Sequence, residues 1–168
     1  LMAQDIDGLV LDVRNNPGGA LDVVINIADN FLDEGVIVTT KDKNGKEVIE
    51  KSDANASDIP MVVLQNENSA SASEILAGAM KDRGRAKIIG TQSFGKGVVQ
   101  KVFNLENGAG AKITISEYFT PNGTQINKVG VTPDIEVSSD EDLDLSKMDF
   151  KNDKQFVTAL NELLKELE

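Results

Sequence analysis

The sequence contains no cysteine and no histidine. The first absence excludes disulfides, zinc-thiolate sites and thiol nucleophiles, and leaves the redox compartment open. The second removes the side chain most often used as a catalytic base near neutral pH. Aromatic residues are only 4% of the chain, so the core must be aliphatic. Basic residues are outnumbered, 17 Lys and Arg against 28 Asp and Glu, for a net charge of -11. That balance argues against nucleic acid as a partner and against adhesion to anionic membranes. No apolar run reaches the roughly 18 residues of a membrane-spanning helix, and no signal-peptide pattern opens the chain. What is present is ordinary for a globular domain: 168 residues, 40% apolar and 27% charged, enough for one domain with a real core.

The front half alternates strand and helix signals. Residues 6–14, IDGLVLDVR, read as a buried strand broken by NNPGG at 15–19. Leu21, Val24, Ile25, Ala28, Phe31 and Leu32 recur at helical spacing, with Gly35 as the expected stop. Residues 36–51 alternate around Asn44-Gly45, a hairpin signal. A second buried strand is expected at 60–66, a helix at 73–83 and a third strand at 86–90. Three further strands follow in GVVQKVFNL, AKITISEYFT and VGVTPDIEV. An acidic linker at 140–146 precedes a final helix with Phe156, Val157, Leu160, Leu163, Leu164 and Leu167 on one docking face. The pattern predicts a single α/β domain with mainly β additions and no internal repeat.

Three stretches could carry chemistry. In NNPGG, Gly18 and Gly19 can present bare backbone N–H groups ahead of a helix N-terminus, which suits an oxyanion hole; a plain turn uses the same residues. GTQSFGKG at 90–97 nearly matches a phosphate-binding loop, but Gly97 replaces the metal-binding hydroxyl and no helix follows. Lys96 then reads either as a surface lysine or as one among Phe94, Val98 and Val99, where lost hydration favours the neutral amine that a base requires. NSASASEIL at 68–76 holds three serines and a capping box, S-x-x-E, from Ser71 to Glu74. A serine at a helix start can also be a nucleophile, because the following N–H groups face whatever it attacks. With no histidine, its base would be a lysine, a carboxylate or, less readily, a tyrosine, and Ser-Lys is an established variant of the triad. Lys96 is the best candidate by setting, with Gln100 four residues on to orient its amine.

Taken in order, LDVRNNPGG, NENSASASEILAGAMKDRGRAKIIGTQSFGKGVVQ and YFTPNGTQINKVGVTPDIEV closely resemble the carboxyl-terminal processing (tail-specific) proteases. The resemblance runs from Ile6 to about Val137. It implies a crotonase-like α/β core and a serine endopeptidase that cleaves proteins near their C-termini without cofactor or metal. It places Ser71 as nucleophile, with Lys96 as general base 25 residues later. It places Gln100 as the lysine-orienting group, and Ala72 with Gly18 or Gly19 as backbone donors of the oxyanion hole. Asp82 falls where the family often carries an acid; its expected role is an ion pair with Arg83 or Arg85, or ending the helix. The family's PDZ domain and first core strand find no counterpart ahead of residue 6, so the chain reads as the C-terminal part of a protease core. The resemblance also implies C-terminal tails of proteins as substrates, a PDZ domain in the longer chain as partner, and an extracytoplasmic location; it leaves a homo-oligomer open. Two other readings stand beside it: a non-catalytic peptide-binding module, and a crotonase-type acyl-CoA enzyme using the same glycine-rich turns.

Overall fold

A computed structural model describes residues 6–106, 108–138 and 150–167. Four short strands form a parallel sheet in the order β1 (Leu9–Asp12), β4 (Met61–Gln65), β5 (Lys87–Gly90) and β8 (Ile135–Glu136). Its centre is β4, whose five residues are all buried. Alternation along β4 explains this: Met61 and Val63 join the cluster under helices α1 (Leu21–Asp29) and α2 (Ala72–Asp82). Val62 and Leu64 pack on the other face, against Ala159 and Leu163 of α3 (Lys154–Glu166). A parallel strand covered on both faces must be apolar throughout, and MVVLQ nearly is.

The second sheet is antiparallel, in the order β3 (Glu47–Ser52), β2 (Gly35–Asp42), β7 (Gly110–Phe119) and β6 (Val98–Asn104). The expected Asn44-Gly45 turn joins β2 to β3, with Asp42 Oδ1 accepting from the Asn44 and Lys46 N–H groups at 2.8 and 2.9 Å. Much of β6 and β7 faces solvent, including Val102, Phe103, Ile113 and Ile115.

Several boundaries differ from expectation. Helix α1 stops at Asn30, and Gly35 instead opens β2. The strand expected over VGVTPDIEV shrinks to two residues, in line with Pro133 lacking a ladder donor just before it. Helix α3 docks through Phe156, Ala159 and Leu163, whereas Val157, Leu160, Leu164 and Leu167 are exposed. The acidic linker lies outside the described residues. At the start of α3, buried Arg14 pairs with Asp12 at 2.7 Å and with Asp153 at 2.8 Å. Burial works to lower the Arg14 pKa; the hydrogen bonds and charges of the two aspartates outweigh it and raise it.

The parallel sheet also sets the position of the candidate residues other than Gln100, which β6 carries. NNPGG follows β1, the triple-serine loop follows β4, and the Lys96 loop follows β5. All three leave the carboxyl ends of neighbouring parallel strands, the edge where open α/β sheets bind their ligands.

Candidate active site

The first two loops are locked side by side. Asn15 N–H donates to Asn66 Oδ1 at 2.9 Å, and Asn15 Oδ1 accepts from Asn66 and Asn68 at 2.8 and 3.0 Å. The Asn16 carbonyl accepts from Ala70 N–H and from the Ser73 hydroxyl, both at 3.0 Å. Gly18 closes the contact. Its φ is +91°, and a Cβ there would stand 2.5 Å from the Ala70 carbonyl oxygen and 2.7 Å from the Ala72 nitrogen. Only glycine allows both the torsion and the approach.

The three serines are no longer alike. Ser69 is buried, donating to the Val13 carbonyl at 2.8 Å and accepting from Asn66 N–H at 2.9 Å. Ser73 is buried on the Asn16 carbonyl. Ser71 is half-exposed at the N-cap of α2, with φ +58° and ψ -116°. A non-glycine residue held there stores roughly 1–3 kcal/mol of backbone strain, a cost that clusters at functional sites. The capping box forms as expected: Ser71 N–H donates to the Glu74 carboxylate at 2.8 Å. Glu74 N–H bonds the Ser71 carbonyl at 2.9 Å as well as facing the Ser71 hydroxyl in the box.

Two N–H groups beside Ser71 matter for an oxyanion. Gly18 N–H is taken by Asn16 Oδ1 at 2.9 Å. Among the described residues, the N–H groups of Gly19 and Ala72 donate to no protein acceptor. Ala72 begins α2, where the first amides lack helical partners and the dipole favours negative charge. Next to them lies a cavity of about 150 Å³ whose walls include Val23, Val24, Ile27 and Leu76. It is apolar and opens onto Gly19 and Ala72.

Lys96 is half-exposed in the third loop. Its flanking glycines are fixed by the segment after β7. Lys128 N–H donates to the Gly95 carbonyl at 2.8 Å, and a Cβ on Gly97 would fall 2.2 Å from the Asn127 nitrogen. With β6 following directly, Gly97 serves this approach and no phosphate loop forms. No hydrogen bond joins Ser71 Oγ to Lys96 Nζ. What joins the two residues is Glu74, whose Oε2 accepts from both Ser71 N–H and Lys96 N–H, each at 2.8 Å. Gln100 is exposed on β6, and its amide reaches Thr114 Oγ1 at 3.4 Å rather than Lys96. Asp82 pairs with neither expected arginine: it accepts from Asn122 N–H at 2.9 Å, while Arg83 goes to Asp33 and Arg85 to the Phe31, Ser57 and Ile59 carbonyls. The sequence reading gave Glu74 only a cap. The signal for more was an acidic residue three positions after Ser71, on a helix otherwise apolar enough to be buried.

The chain is similar to the carboxyl-terminal-processing protease of Picosynechococcus sp., 44% identical over 96% of this chain and 39% of that protein. It is 51% identical to the carboxy-terminal-processing protease of Bartonella bacilliformis, over 79% of this chain and 31% of that one. Among solved structures, the photosystem II D1 C-terminal processing protease superposes with a TM-score of 0.76 at 45% identity, covering 82% of this chain and 36% of its own. The chain thus spans less than two fifths of the length of these relatives. The sequence model of peptidase family S41 matches residues 1–137, which contain all three loops and both sheets. By that match and these identities, the chain belongs to peptidase family S41.

Proposed function

We propose that this chain forms the catalytic part of a serine endopeptidase that hydrolyses peptide bonds near the C-termini of proteins. Neutral Lys96 Nζ takes the proton from Ser71 Oγ as that oxygen attacks the scissile carbonyl. The tetrahedral oxyanion is held by Ala72 N–H and Gly19 N–H; Gly19 is favoured over Gly18 because the Gly18 donor is already bonded to Asn16. Protonated Lys96 gives its proton to the leaving amine. A water then loses a proton to Lys96 and attacks the acyl-serine; as the intermediate collapses to the acid, Lys96 returns that proton to the departing Ser71 Oγ. Gln100 orients the Lys96 amine, which requires its side chain to turn from Thr114. The apolar cavity beside Gly19 takes a small aliphatic side chain on the acyl side of the cut bond.

The observation that carries this reading is the fate of the three serines. Ser69 and Ser73 spend their hydroxyls on carbonyls, and Ser71, on the strained torsion between two free amides, does not. In the longer protein the reading extends to a PDZ domain that captures substrate tails by strand addition and to action outside the cytoplasm, and it leaves a homo-oligomer open. Turnover of a protein bearing a cleavable C-terminal tail tests the dyad. Ser71→Ala and Lys96→Ala in the full-length enzyme should each lose about 10⁴-fold or more in kcat, and Lys96→Arg should not recover it, since arginine stays charged. Turnover retained by either alanine variant overturns the dyad.

A further inference from the structure

We infer that Glu74 is a positioning residue that sets the nucleophile and the base on one carboxylate, an inference that rests on the Ser71-Lys96 reading. Its side chain is fully buried at 0% exposure, yet it carries an ionisable group in a stretch of α2 whose other buried residues, Ser73 aside, are alanine, glycine, isoleucine, leucine and methionine. Four donors meet it. Oε2 takes Ser71 N–H and Lys96 N–H, each at 2.8 Å. Oε1 takes the Ser93 hydroxyl and Gly95 N–H, each at 2.6 Å. Ser93 in turn accepts from Val131 N–H at 2.7 Å, which anchors the arrangement to the segment after β7.

A capping box needs only the Ser71 bond. The other three donors come from the loop 19 to 22 residues downstream, so the box has been extended across space to the lysine loop. A hydrogen bond from an amide nitrogen fixes the plane of the peptide that carries it. At Ser71 this fixes the peptide plane ahead of a residue held at a left-handed φ of +58°. At Gly95 and Lys96 it fixes two successive peptide planes, and so the direction in which the lysine stem leaves the backbone. The nucleophile and base sit on loops after different strands, and no bond between their side chains registers them. One oxygen shared by their two amides does so, with charge-assisted hydrogen bonds on both. An error of about 1 Å in such a pair costs on the order of 10²-fold in rate, which makes this register worth a buried carboxylate.

The side-chain series at this position separates positioning from bulk stability. Glu74→Gln can keep its oxygen on the Ser71 and Lys96 amides and turn its amide toward Ser93, whose hydroxyl can rotate to accept; only Gly95 N–H is then unpaired. Glu74→Asp is one methylene too short to span the donors, and Glu74→Ala leaves three buried amides without partners. In the full-length enzyme, Glu74→Ala and Glu74→Asp should lose at least about 100-fold in kcat with KM within two-fold. Glu74→Gln should lose between about three- and ten-fold, with the rate of Ser71 labelling by a fluorophosphonate falling in parallel. Ser52→Ala, a buried hydroxyl on the Asp33 and Gly35 carbonyls away from the site, should lower Tm and leave kcat per folded molecule unchanged. The inference is overturned if Glu74→Ala loses activity only in proportion to its unfolded fraction, if the loss lies in KM, or if Glu74→Gln is as impaired as Glu74→Ala. Should Glu74→Ala not fold, Glu74→Gln decides alone: wild-type kcat and labelling overturn the inference, and the three- to ten-fold parallel loss supports it. Ser71→Ala, run alongside, separates the two readings. If it stays active, the dyad itself has failed and the positioning role falls with it; if it is silent, the Glu74 series stands or falls on its own.

Discussion

Strands β4 and β6 are both rich in valine, and they meet opposite fates. All five residues of β4 are buried, between helices α1 and α2 on one face and α3 on the other. Five of the seven residues of β6 are exposed, at the edge of the antiparallel sheet. The parallel sheet is covered on both faces and sends out the three loops, while the antiparallel sheet buries only one side, with Ile37, Val38 and Tyr118 in the core. The antiparallel sheet contributes to the site only where β6 begins, just after Lys96. The candidate site therefore lies where the loops of the covered sheet meet the start of the less covered one, and Glu74 bonds the loop after β4 to the loop after β5.

The contrast can be pressed by substitution. Leu64→Ala, in the covered face of β4, should lower unfolding free energy by about 2–5 kcal/mol, through lost burial and a cavity that close packing cannot refill. Chemical denaturation measures this, and a loss below 1 kcal/mol would mean the parallel sheet is not the rigid part. Gly18→Ala should cost about 1–3 kcal/mol, because the torsion and the Ala70 carbonyl both oppose a Cβ. It should also misplace Ala72 and so reduce kcat, whereas Gly19→Ala, with nothing within 4 Å of the new methyl, should leave stability unchanged. Equal midpoints for the two glycine variants would break the account of the NNPGG turn. Ile113→Ala, half-exposed on β7, should change stability by no more than about 0.5 kcal/mol. A core-sized loss there would show that the exposed face of this sheet is covered in solution.

Much of this was legible in the sequence because it rests on local rules. MVVLQ reads as a strand covered on both faces, Asn44-Gly45 as a hairpin, and Ser71 to Glu74 as a cap, and each forms where expected. The misread features depend on distant partners. Six apolar residues on α3 suggested one docking face, but only Ala159 and Leu163, with Phe156 partly covered, pack against the sheet. Asp82 was expected to pair with a neighbouring arginine or to end the helix; it is the last residue of α2, and the turn at Asn122, not an arginine, takes its carboxylate. The larger role of Glu74 was only half legible: an acid on a helix apolar enough to be buried hinted at it, but three of its four donors belong to another loop, and nothing in the spacing of residues 71 to 74 announces them. Gly97 looked like a defect in a phosphate loop, until the backbone of Asn127 showed what the missing side chain makes room for.

The central claim is that Ser71 is a nucleophile activated by Lys96. Its most direct test is the site and rate of fluorophosphonate modification in the full-length enzyme, read by peptide mass spectrometry. The account predicts a single adduct on Ser71 in the wild type, formed at least about 100-fold more slowly in Lys96→Ala. An adduct on another residue, or equal rates of Ser71 labelling with and without Lys96, would contradict it.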